Sequence, residues 1–473
     1  MRIIEKGRPE YLPPLRYNLI ADTDSYKFSH FLIYRKGTTS VYSYIESRGG
    51  HYPAIVFAGL QPLLYGKLGQ KVTEADIDEL RRDLPKHGVP FNEAGWRKII
   101  DVYGGHLPLR IKAVAEGTLV PVKNVLFTIE NLDPDLYWLT SYFETMILRD
   151  LWTACSIATR NFYINQRIKR HWEQNSDTPM SPFSFLDFCS RGVMGYDHSC
   201  LAGIGHLIFQ QGSDNYPGVR HVNHYYRDEM AGFSVIASEH SISCGFGYGN
   251  DADYIDNAIE RVPEGAILSL VGDTWNIYEF AKTLVTRKEK IINKKIVMVC
   301  RPDSGEIFEV NPPVLRTLAD GFGTDRNSKG KDVMRYGVKV LTGDGMNENT
   351  HMDPFFAADG IRIAPDSIMT AAGGGMATAD LDRDKNRWAM KASNHVIDGV
   401  ETPIRKDPIT DHGKASKAGR FALIYDAVNG YQTINIAPGE IRDGDLLLTR
   451  YESGLVKNMQ YLDEVRALAA SQL

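Results

Sequence analysis

The sequence predicts an α/β fold, in which a parallel α/β barrel forms the middle of the chain and the two ends form a β-rich second domain. The first observation is a set of seven short apolar runs, each followed by polar residues suited to chemistry. The second is that amphipathic helical patterns lie between some of these runs. The third is that the N- and C-terminal thirds are rich in strand patterns, which predicts one discontinuous domain around the barrel. An open, doubly wound sheet is the competing architecture.

The apolar run at 296–300 is the clearest of the seven. It is β-branched at three positions, is too short for a globular helix, and leads directly to Arg301 and Asp303. Taken alone, this motif also fits a surface turn in which the two side chains pair. Because the same pattern occurs in seven runs, we expect the polar residues that follow them to lie together, since the carboxyl ends of barrel strands meet at one mouth. The other six runs are 184–188, 206–209, 233–236, 267–271, 338–342 and 368–370.

The terminal parts carry patterns of their own. Asp133-Pro134 predicts the start of a helix. A second helix is predicted at 153–173, and its basic side, which includes Arg160, is expected to face solvent. The basic segment 402–420 is either a solvated linker or a mobile loop over a phosphorylated substrate. Asn429-Gly430 indicates a hairpin. The remaining patterns predict an irregular arm up to residue 15, a strand at 39–46, helices at 73–103, strands at 111–130 and a helix at 462–468.

We therefore divide the chain into an N-terminal β-rich and helical domain at 1–150, the barrel at 151–394, and a C-terminal segment at 395–473 that packs with the N-terminal domain.

The 473 residues are 43% hydrophobic, which is ample for buried cores. A net charge of −5 gives no reason to expect nucleic acid as a partner. The sequence predicts no membrane span and no signal peptide, and its five cysteines form no Cys-x-x-Cys pair. A cytoplasmic chain with reduced thiols is expected.

Several polar groups near the predicted mouth suit a phosphorylated sugar. Gly373, Gly374 and Gly375 lack side chains, so their backbone N–H groups can approach a phosphate closely. No Walker or dinucleotide-binding glycine pattern occurs. Carboxylates after the strands can bind Mg²⁺ or sugar hydroxyls, and arginines can neutralise phosphate oxygens. His240 is either a hydrogen-bonded structural histidine or a nucleophile. The strand-end groups are Asp273, Asp303, Asp344, Arg191 and Arg301.

At these residues the sequence resembles the nicotinamide phosphoribosyltransferases, which belong to the type II phosphoribosyltransferases. The resemblance runs along nearly the whole chain and rests on the order and spacing of short motifs. They include Asp24-Ser25-Tyr26-Lys27, Val41-Tyr42-Ser43-Tyr44, Gly105-His106-Leu107-Pro108, Tyr137-Trp138-Leu139-Thr140, Glu239-His240-Ser241, Arg301-Pro302-Asp303-Ser304-Gly305 and Gly343-Asp344-Gly345.

The resemblance implies condensation of nicotinamide with 5-phosphoribosyl-1-pyrophosphate, giving nicotinamide mononucleotide and pyrophosphate with Mg²⁺ in NAD salvage. It implies that Phe188 and Tyr26 sandwich the pyridine ring, with Tyr26 coming from the second subunit of a homodimer. Asp214 would accept from the carboxamide, near Ser269 and Arg301. His240 resembles the family histidine that ATP phosphorylates.

The resemblance also implies contacts to phosphoribosyl pyrophosphate. Arg301 and Asp303 resemble ribose and pyrophosphate contacts, and Asp273 resembles the acid on the Mg²⁺ side. Gly343, Asp344, Gly374 and Gly375 resemble contacts to the ribose and its 5′-phosphate. The residues that the partner subunit would add are Arg48, Arg383, Lys391, Lys414 and Lys417.

The sequence departs from the family pattern at three places. Ala389 stands where a phosphate-facing serine is expected, Trp275 replaces a tyrosine, and one extra residue lies between Gly375 and Arg383. Two alternatives stay open at this point. A nicotinate phosphoribosyltransferase should carry a neutral or basic group in place of Asp214, and a binding or signalling protein on the same fold would have no need of the complete set of charged residues.

Overall fold

The computed structural model describes residues 2–5, 8–11, 14–411 and 414–473, and its centre is a parallel barrel. Six strands pair in parallel throughout. Isolated parallel bridges join Asp187 to Ser213 and Gly212 to Phe233, so the two edges of the sheet meet and the ring closes. The barrel prediction is confirmed and the open sheet is wrong. In spatial order the strands are Phe185–Asp187, Ile368–Ala372, Lys339–Thr342, Val297–Arg301, Ile267–Val271 and Ile236–Ala237.

Alternation along each strand separates the outer core from the barrel interior. In Val297–Arg301, the side chains of Met298 and Cys300 are buried in the core outside the barrel, whereas Val299 faces the interior with Leu341. This is the period of two expected of a strand whose faces have different neighbours. The same alternation points Ser269 and Arg301 inward, so the strand sequence itself decides which polar groups reach the interior.

One of the seven predicted runs is wrong. Residues 206 and 207 end the helix Tyr196–Leu207. The position in the barrel that was predicted for this run is occupied by Gly212 and Ser213, which form isolated parallel bridges. His206 is fully buried, and its Nε2 lies 2.9 Å from the carbonyl oxygen of Gly212. A short apolar run does not distinguish a buried helix end from a buried strand, which is why the pattern misled.

Both ends of the chain contribute to a second, antiparallel sheet. N-terminal strands lie beside C-terminal ones, and Thr38–Ser47 pairs directly with Trp388–Ile397. This confirms the β-rich unit drawn from both ends. The domain boundaries themselves stay predictions, and residues 150 and 394 fall inside a helix and a strand. The sheet order is Val400–Pro403, Trp388–Ile397, Thr38–Ser47, Phe127–Asn131, Leu109–Ala113, Leu448–Glu452 and Leu455–Val456.

Within the described ranges, four two-stranded sheets complete the β structure. The hairpin predicted at Asn429-Gly430 is confirmed by antiparallel pairing of Arg420–Asp426 with Gly430–Ile436. The predicted irregular arm is wrong, because Arg2–Glu5 pairs with Arg8–Tyr11. The basic loop predicted at 402–420 includes residues 412 and 413, which lie outside the described residues. The other pairs are Ala54–Val56 with Leu119–Pro121, and Thr324–Arg326 with Asp332–Met334.

A 32-residue helix, Glu144–Asn175, links the two units. The second predicted helix, 153–173, is part of it. The predicted helix start at Asp133-Pro134 is confirmed by the separate 3₁₀ helix Pro134–Leu136, which has Asp133 as its N-cap. Arg160, assigned to a solvated side, is only 2% exposed. The described residues contain no helix with the length and apolarity needed to cross a bilayer. The other α-helices of the described residues are His30–Ile33, Leu60–Leu63, Glu74–His87, Glu93–Tyr103, Leu139–Tyr142, Tyr196–Leu207, Tyr216–Tyr225, His240–Cys244, Asp251–Arg261, Ile277–Thr286, Lys288–Asn293, Ile307–Phe322, Asp353–Asp359, Gly375–Thr378 and Leu462–Ala470.

Candidate active site

Two cavities meet at the carboxyl ends of the barrel strands. One is an open cleft of about 690 Å³, and the other is a narrower slot of about 360 Å³ that extends into the barrel. Phe188, Asp214, Ala237 and Arg301 line both. The site therefore offers a polar compartment and a mainly apolar one that share a single junction, as expected for a ligand with two chemically different parts.

The slot is walled by inward-facing strand residues. Leu186, Val299 and Leu341 supply apolar surface, and Ser269 adds a hydroxyl on the strand beside Arg301. Phe188 packs against this apolar cluster, and its backbone N–H donates to the carbonyl oxygen of Ala372 at 2.9 Å. A flat, largely apolar ring with one polar substituent suits such a compartment.

Asp214 supplies a carboxylate at the junction. Its backbone N–H donates to the carbonyl oxygen of Asp187 at 2.9 Å, which fixes the chain just after the bridge that closes the barrel. The hydroxyl of Ser234 donates to Asp214 Oδ1 at 2.5 Å. Because a carboxylate has further lone pairs, Asp214 keeps the capacity to accept from a ligand N–H group.

Arg301 ends its strand between the two compartments. Its Nη2 lies 2.8 Å from Asp303 Oδ2, so the pairing predicted from the sequence exists, and both residues still line the cleft. Its Nε is buried and has no hydrogen-bond partner among the described residues. A buried, unpaired donor is costly, and an acceptor on a bound ligand would satisfy it.

The other side of the cleft is built from backbone. Gly373, Gly374 and Gly375 line it and lead into the short helix Gly375–Thr378. A Cβ on Gly374 would lie 2.3 Å from the carbonyl oxygen of Gly192, and one on Gly192 would lie 2.7 Å from Cα of Gly374. Two main chains therefore touch here, which only glycine permits. Arg191, Gly343 and Asp344 line the same cleft.

His240, Asp273 and Ser304 form a hydrogen-bonded group beside the cleft. His240 Nε2 lies 3.0 Å from Asp273 Oδ1, and the hydroxyl of Ser304 donates to Asp273 Oδ2 at 2.5 Å. The Asp273 side chain is 8% exposed, whereas that of His240 is 44% exposed. The histidine is therefore accessible and the carboxylate orients it.

The acidic residues near the cleft form a sparse set. Both oxygens of Asp273 are engaged by His240 and Ser304, and Asp303 is engaged by Arg301. Across the described ranges, no group of three or more His, Cys, Asp or Glu side chains is arranged to hold a metal ion. Such a set fits Mg²⁺, which keeps several waters and binds one or two carboxylates together with substrate phosphates.

His240 and Asp273 line neither cavity, although Glu239, which precedes His240, lines the cleft. Six further predicted residues also line neither cavity, as far as the described residues define them. Tyr26 is 59% exposed on the 3₁₀ helix Ser25–Ser29, with its ring 5.2 Å from that of His30. The other five are basic: Arg48, Arg383, Lys391, Lys414 and Lys417. None of the six lines the cleft or the slot of its own chain.

The five basic residues lie close to one another. Arg48 Nη1 donates to the carbonyl oxygen of Lys414 at 3.2 Å, and both Arg48 and Lys417 pair with the buried carboxylate of Glu46. Burial lowers the pKa of Lys391, and the positive charges of Arg48, Lys406 and Arg383 lower it further, against the opposing effect of Glu144. This basic cluster, defined as Arg48, Arg383, Lys391, Lys406, Lys414 and Lys417, is a surface suited to anions.

Two of the departures noted in the sequence can be located. Ala389 is buried on Trp388–Ile397, where it pairs with Glu46 in the antiparallel sheet. Trp275 is 43% exposed, and its ring meets that of Tyr248 edge-on at 5.5 Å. Neither residue lines the cleft.

Sequence reasoning missed several residues of the site. Glu239 was quoted only as part of a motif, although it lines the cleft, and Ser234 was passed over although it orients Asp214. Glu239 follows the predicted run 233–236, so the rule that polar groups after strands face the mouth was sufficient to find it. Ser234 lies inside that run, where the rule does not apply. Asn347 lies in the loop after Lys339–Thr342 and carries no comparable signal.

Comparisons with known proteins agree with this geometry. A family model described as "Nicotinamide phosphoribosyltransferase, N-terminal domain" matches residues 18–111. One described as "Nicotinate phosphoribosyltransferase (NAPRTase) family" matches residues 183–450. The chain is 37% identical to a nicotinamide phosphoribosyltransferase of Xanthomonas campestris pv. campestris, over 96% of this chain and 98% of that protein. It is 25% identical to one of Acinetobacter baylyi, over 97% and 98% of the two chains.

Solved structures support the fold. A nicotinate-nucleotide pyrophosphorylase from Pyrococcus furiosus superposes with a TM-score of 0.59 at 16% identity, covering 98% of this chain and 97% of that one. Human nicotinic acid phosphoribosyltransferase gives a TM-score of 0.55 at 15% identity, covering 95% and 93%. With a family model across more than half of its residues and a relative of 37% identity along nearly its whole length, the chain belongs to the nicotinamide and nicotinate phosphoribosyltransferase family of pentosyltransferases.

Proposed function

We propose that this phosphoribosyltransferase condenses nicotinamide with 5-phosphoribosyl-1-pyrophosphate, giving nicotinamide mononucleotide and pyrophosphate in NAD salvage. The observation that carries the proposal is the junction at Arg301, where an apolar slot with one carboxylate meets a cleft of glycines, arginines and acids. A pyridine ring suits the slot, and a phosphorylated ribose suits the cleft.

Ring selection rests on Asp214. Its carboxylate accepts from the carboxamide NH₂ of nicotinamide and repels the carboxylate of nicotinate, so it discriminates by attraction and by repulsion. Ser269 and the unpaired Nε of Arg301 serve the carbonyl side of the carboxamide. Phe188 covers one face of the ring.

The cleft holds phosphoribosyl pyrophosphate. Backbone N–H groups at Gly343, Gly374 and Gly375 approach the 5′-phosphate, and Asp344 and Asp303 accept from ribose hydroxyls. Arg191 and Arg301 face the pyrophosphate, where bidentate contacts to phosphate oxygens are strongest. Asp273 and Asp303 would hold Mg²⁺, and the ion would supply positive charge at the pyrophosphate.

Bond breaking at the anomeric carbon builds oxocarbenium character while the pyridine nitrogen approaches. The bond to pyrophosphate breaks with its electron pair on oxygen, the pyridine nitrogen supplies the pair for the new bond, and little proton transfer is needed. The protein contributes by positioning the two reactants and by placing cationic groups at the leaving group. Removing one such contact costs about 3 kcal/mol of transition-state stabilisation.

ATP acts as a co-substrate through His240. The exposed imidazole follows Glu239, which lines the cleft, and is oriented by Asp273. This suits a nitrogen nucleophile that takes the terminal phosphoryl group of ATP while ADP leaves. Hydrolysis of that phosphohistidine would be coupled to synthesis. The support for this role is the family resemblance together with the accessibility of the ring.

The active enzyme is a homodimer with shared active sites. The support is that Tyr26 is exposed and that several positive charges lie together in the basic cluster, yet neither lines the cleft of its own chain in the described ranges. A second copy would supply Tyr26 to the open face of the ring and the basic cluster to the phosphates. The five free cysteines, four of them buried, fit the reducing cytoplasm.

A nicotinate phosphoribosyltransferase is the second candidate, favoured by the name of the family model that matches residues 183–450. Asp214 is the observation against it. The deciding experiment is mononucleotide formation with phosphoribosyl pyrophosphate and Mg²⁺, with nicotinamide and nicotinate in parallel, each with and without ATP. Product from nicotinamide only, increased by ATP, supports the proposal. Product from nicotinate instead overturns the amide selectivity, and product from neither overturns the proposed reaction.

A further inference from the structure

The side chain of Arg160 is buried between two walls of the cleft, and we propose that it is a positioning residue for the phosphoribosyl substrate. Its guanidinium, acting with Glu348, holds the glycine loop at 373–375 against the loop that follows Lys339–Thr342. The inference rests on the proposed function, since it takes the cleft as the phosphoribosyl site. It adds a residue that contacts no substrate.

Arg160 binds the far end of the short glycine helix. Nη1 donates to the carbonyl oxygens of Gly375 and Met376, each at 3.1 Å, and Nη2 donates to that of Ala379 at 2.7 Å. The last carbonyl groups of a helix have no partner inside the helix, and Gly375–Thr378 is only one turn long. The arginine therefore satisfies the end of this helix opposite to the one that begins at the cleft.

The same guanidinium binds the opposing loop. Arg160 Nε lies 3.2 Å from Glu348 Oε2, and the hydroxyl of Tyr52 donates to that same oxygen at 2.7 Å. Met346 and Asn347, immediately before Glu348, line the cleft. One side chain thus connects two segments that are 27 residues or more apart and that form facing walls.

The contact between these walls is tight. A Cβ on Gly375 would lie 3.3 Å from the carbonyl oxygen of Met346, so a small displacement of either loop changes the width of the cleft. Arg160 is 2% exposed, which shields its hydrogen bonds from water. Its planar fork of donors is needed to reach several acceptors at once, and lysine cannot reproduce it.

The test compares Arg160→Lys and Arg160→Met with Arg167→Met as a matched control. Arg167 lies on the same helix and donates to the Glu348 carbonyl oxygen at 3.0 Å, but its side chain is 47% exposed. Initial rates are measured with phosphoribosyl pyrophosphate varied at saturating nicotinamide, and then the reverse. Thermal unfolding is followed in parallel for every variant.

For Arg160→Lys we expect KM for phosphoribosyl pyrophosphate to rise by about tenfold or more, with an unchanged KM for nicotinamide. Arg167→Met should retain both constants. The inference is overturned if the lysine variant is folded and its KM for phosphoribosyl pyrophosphate equals that of the wild type. It is also overturned if both KM values rise together, since that pattern indicates general loss of structure.

Two further measurements keep the inference testable. If Arg160→Met does not fold, Arg160→Lys and Glu348→Gln still test the contact between Arg160 and Glu348. Glu348→Gln should raise KM for phosphoribosyl pyrophosphate less than Arg160→Lys does, because glutamine keeps an acceptor oxygen. Calorimetric binding of ribose 5-phosphate separates the inference from the reaction. If the wild type forms no mononucleotide but binds ribose 5-phosphate more tightly than Arg160→Lys, the proposed function fails and the inference stands. If the wild type does not bind ribose 5-phosphate, both fail.

Discussion

His240 Nε2 lies 3.0 Å from Asp273 Oδ1, and this pair joins an exposed ring to a nearly buried carboxylate at the edge of the cleft. The arrangement separates two tasks. The carboxylate accepts a hydrogen bond from Ser304, which follows the cleft residue Asp303, whereas the ring is exposed. Removal of the ring should therefore affect coupling to ATP more than synthesis itself.

We expect His240→Ala to form nicotinamide mononucleotide without ATP at a rate near that of the wild type, and to lose the stimulation by ATP. The reason is that no step of phosphoribosyl transfer to nicotinamide uses the imidazole, whereas phosphoryl transfer from ATP needs its nitrogen. Mononucleotide formation with and without ATP checks this. His224→Ala, which changes an exposed histidine on Tyr216–Tyr225, is the control. Undiminished stimulation by ATP in His240→Ala would contradict the role.

Asp214→Asn should shift selectivity from nicotinamide towards nicotinate. The substitution removes a negative charge that would face the carboxylate of nicotinate, and like charges in such a site cost several kcal/mol. We expect the ratio of kcat/KM for nicotinate to that for nicotinamide to rise by at least about tenfold. Ser234→Ala is the matched control, because it removes the hydrogen bond to Asp214 Oδ1 but keeps the charge. An unchanged ratio in Asp214→Asn would contradict the proposal that Asp214 selects nicotinamide over nicotinate.

The sequence predicted the mouth of the barrel well because the position of a strand-end residue is set by topology. Arg191, Asp214, Arg301 and Asp344 are distant in the chain, yet each follows a strand or bridge of the ring, and all four line the same cleft. The carboxyl ends of parallel strands meet at one edge, so the order of apolar runs and polar tips was sufficient.

The sequence did not predict contacts that depend on tertiary packing. Arg160 was assigned to solvent from its charge, whereas the structure buries it against carbonyl groups more than 200 residues away. No local pattern indicates that an arginine will meet the end of a distant helix. The place of Gly212 and Ser213 on the ring was missed for a similar reason, since isolated bridges leave no periodic signal.

Gly374→Ala should weaken binding of phosphoribosyl pyrophosphate, because the new Cβ would lie 2.3 Å from the Gly192 carbonyl oxygen and must push two walls of the cleft apart. We expect KM for this substrate to rise by about tenfold or more. Gly373→Ala is the control, since its Cβ would enter open space. Steady-state kinetics of both variants check the prediction, and equal KM values for the two would contradict it.

Mixing two inactive variants should restore activity if the sites are shared. Tyr26→Ala lacks the residue that is proposed to reach the partner, and Asp214→Ala lacks one in its own slot. In a mixed dimer one site carries both changes and the other carries neither, so random exchange should recover about a quarter of wild-type activity. The measurement is mononucleotide formation after subunit exchange. No recovery, with exchange verified by a size tag on one variant, would contradict the shared site.

Anion binding should weaken as the pH rises into the alkaline range because of Lys391. Burial and the neighbouring positive charges lower its pKa in the free protein, so its ammonium loses its proton at a lower pH than an exposed lysine does. A bound phosphate favours the charged form and raises that pKa, so binding takes up a proton and affinity falls as pH passes the lowered value. We therefore expect KM for phosphoribosyl pyrophosphate to increase with pH in the wild type and in Lys282→Met, an exposed control. In Lys391→Met the KM should be higher at neutral pH and nearly independent of pH. The same alkaline rise in Lys391→Met and in the wild type would show that another group is responsible.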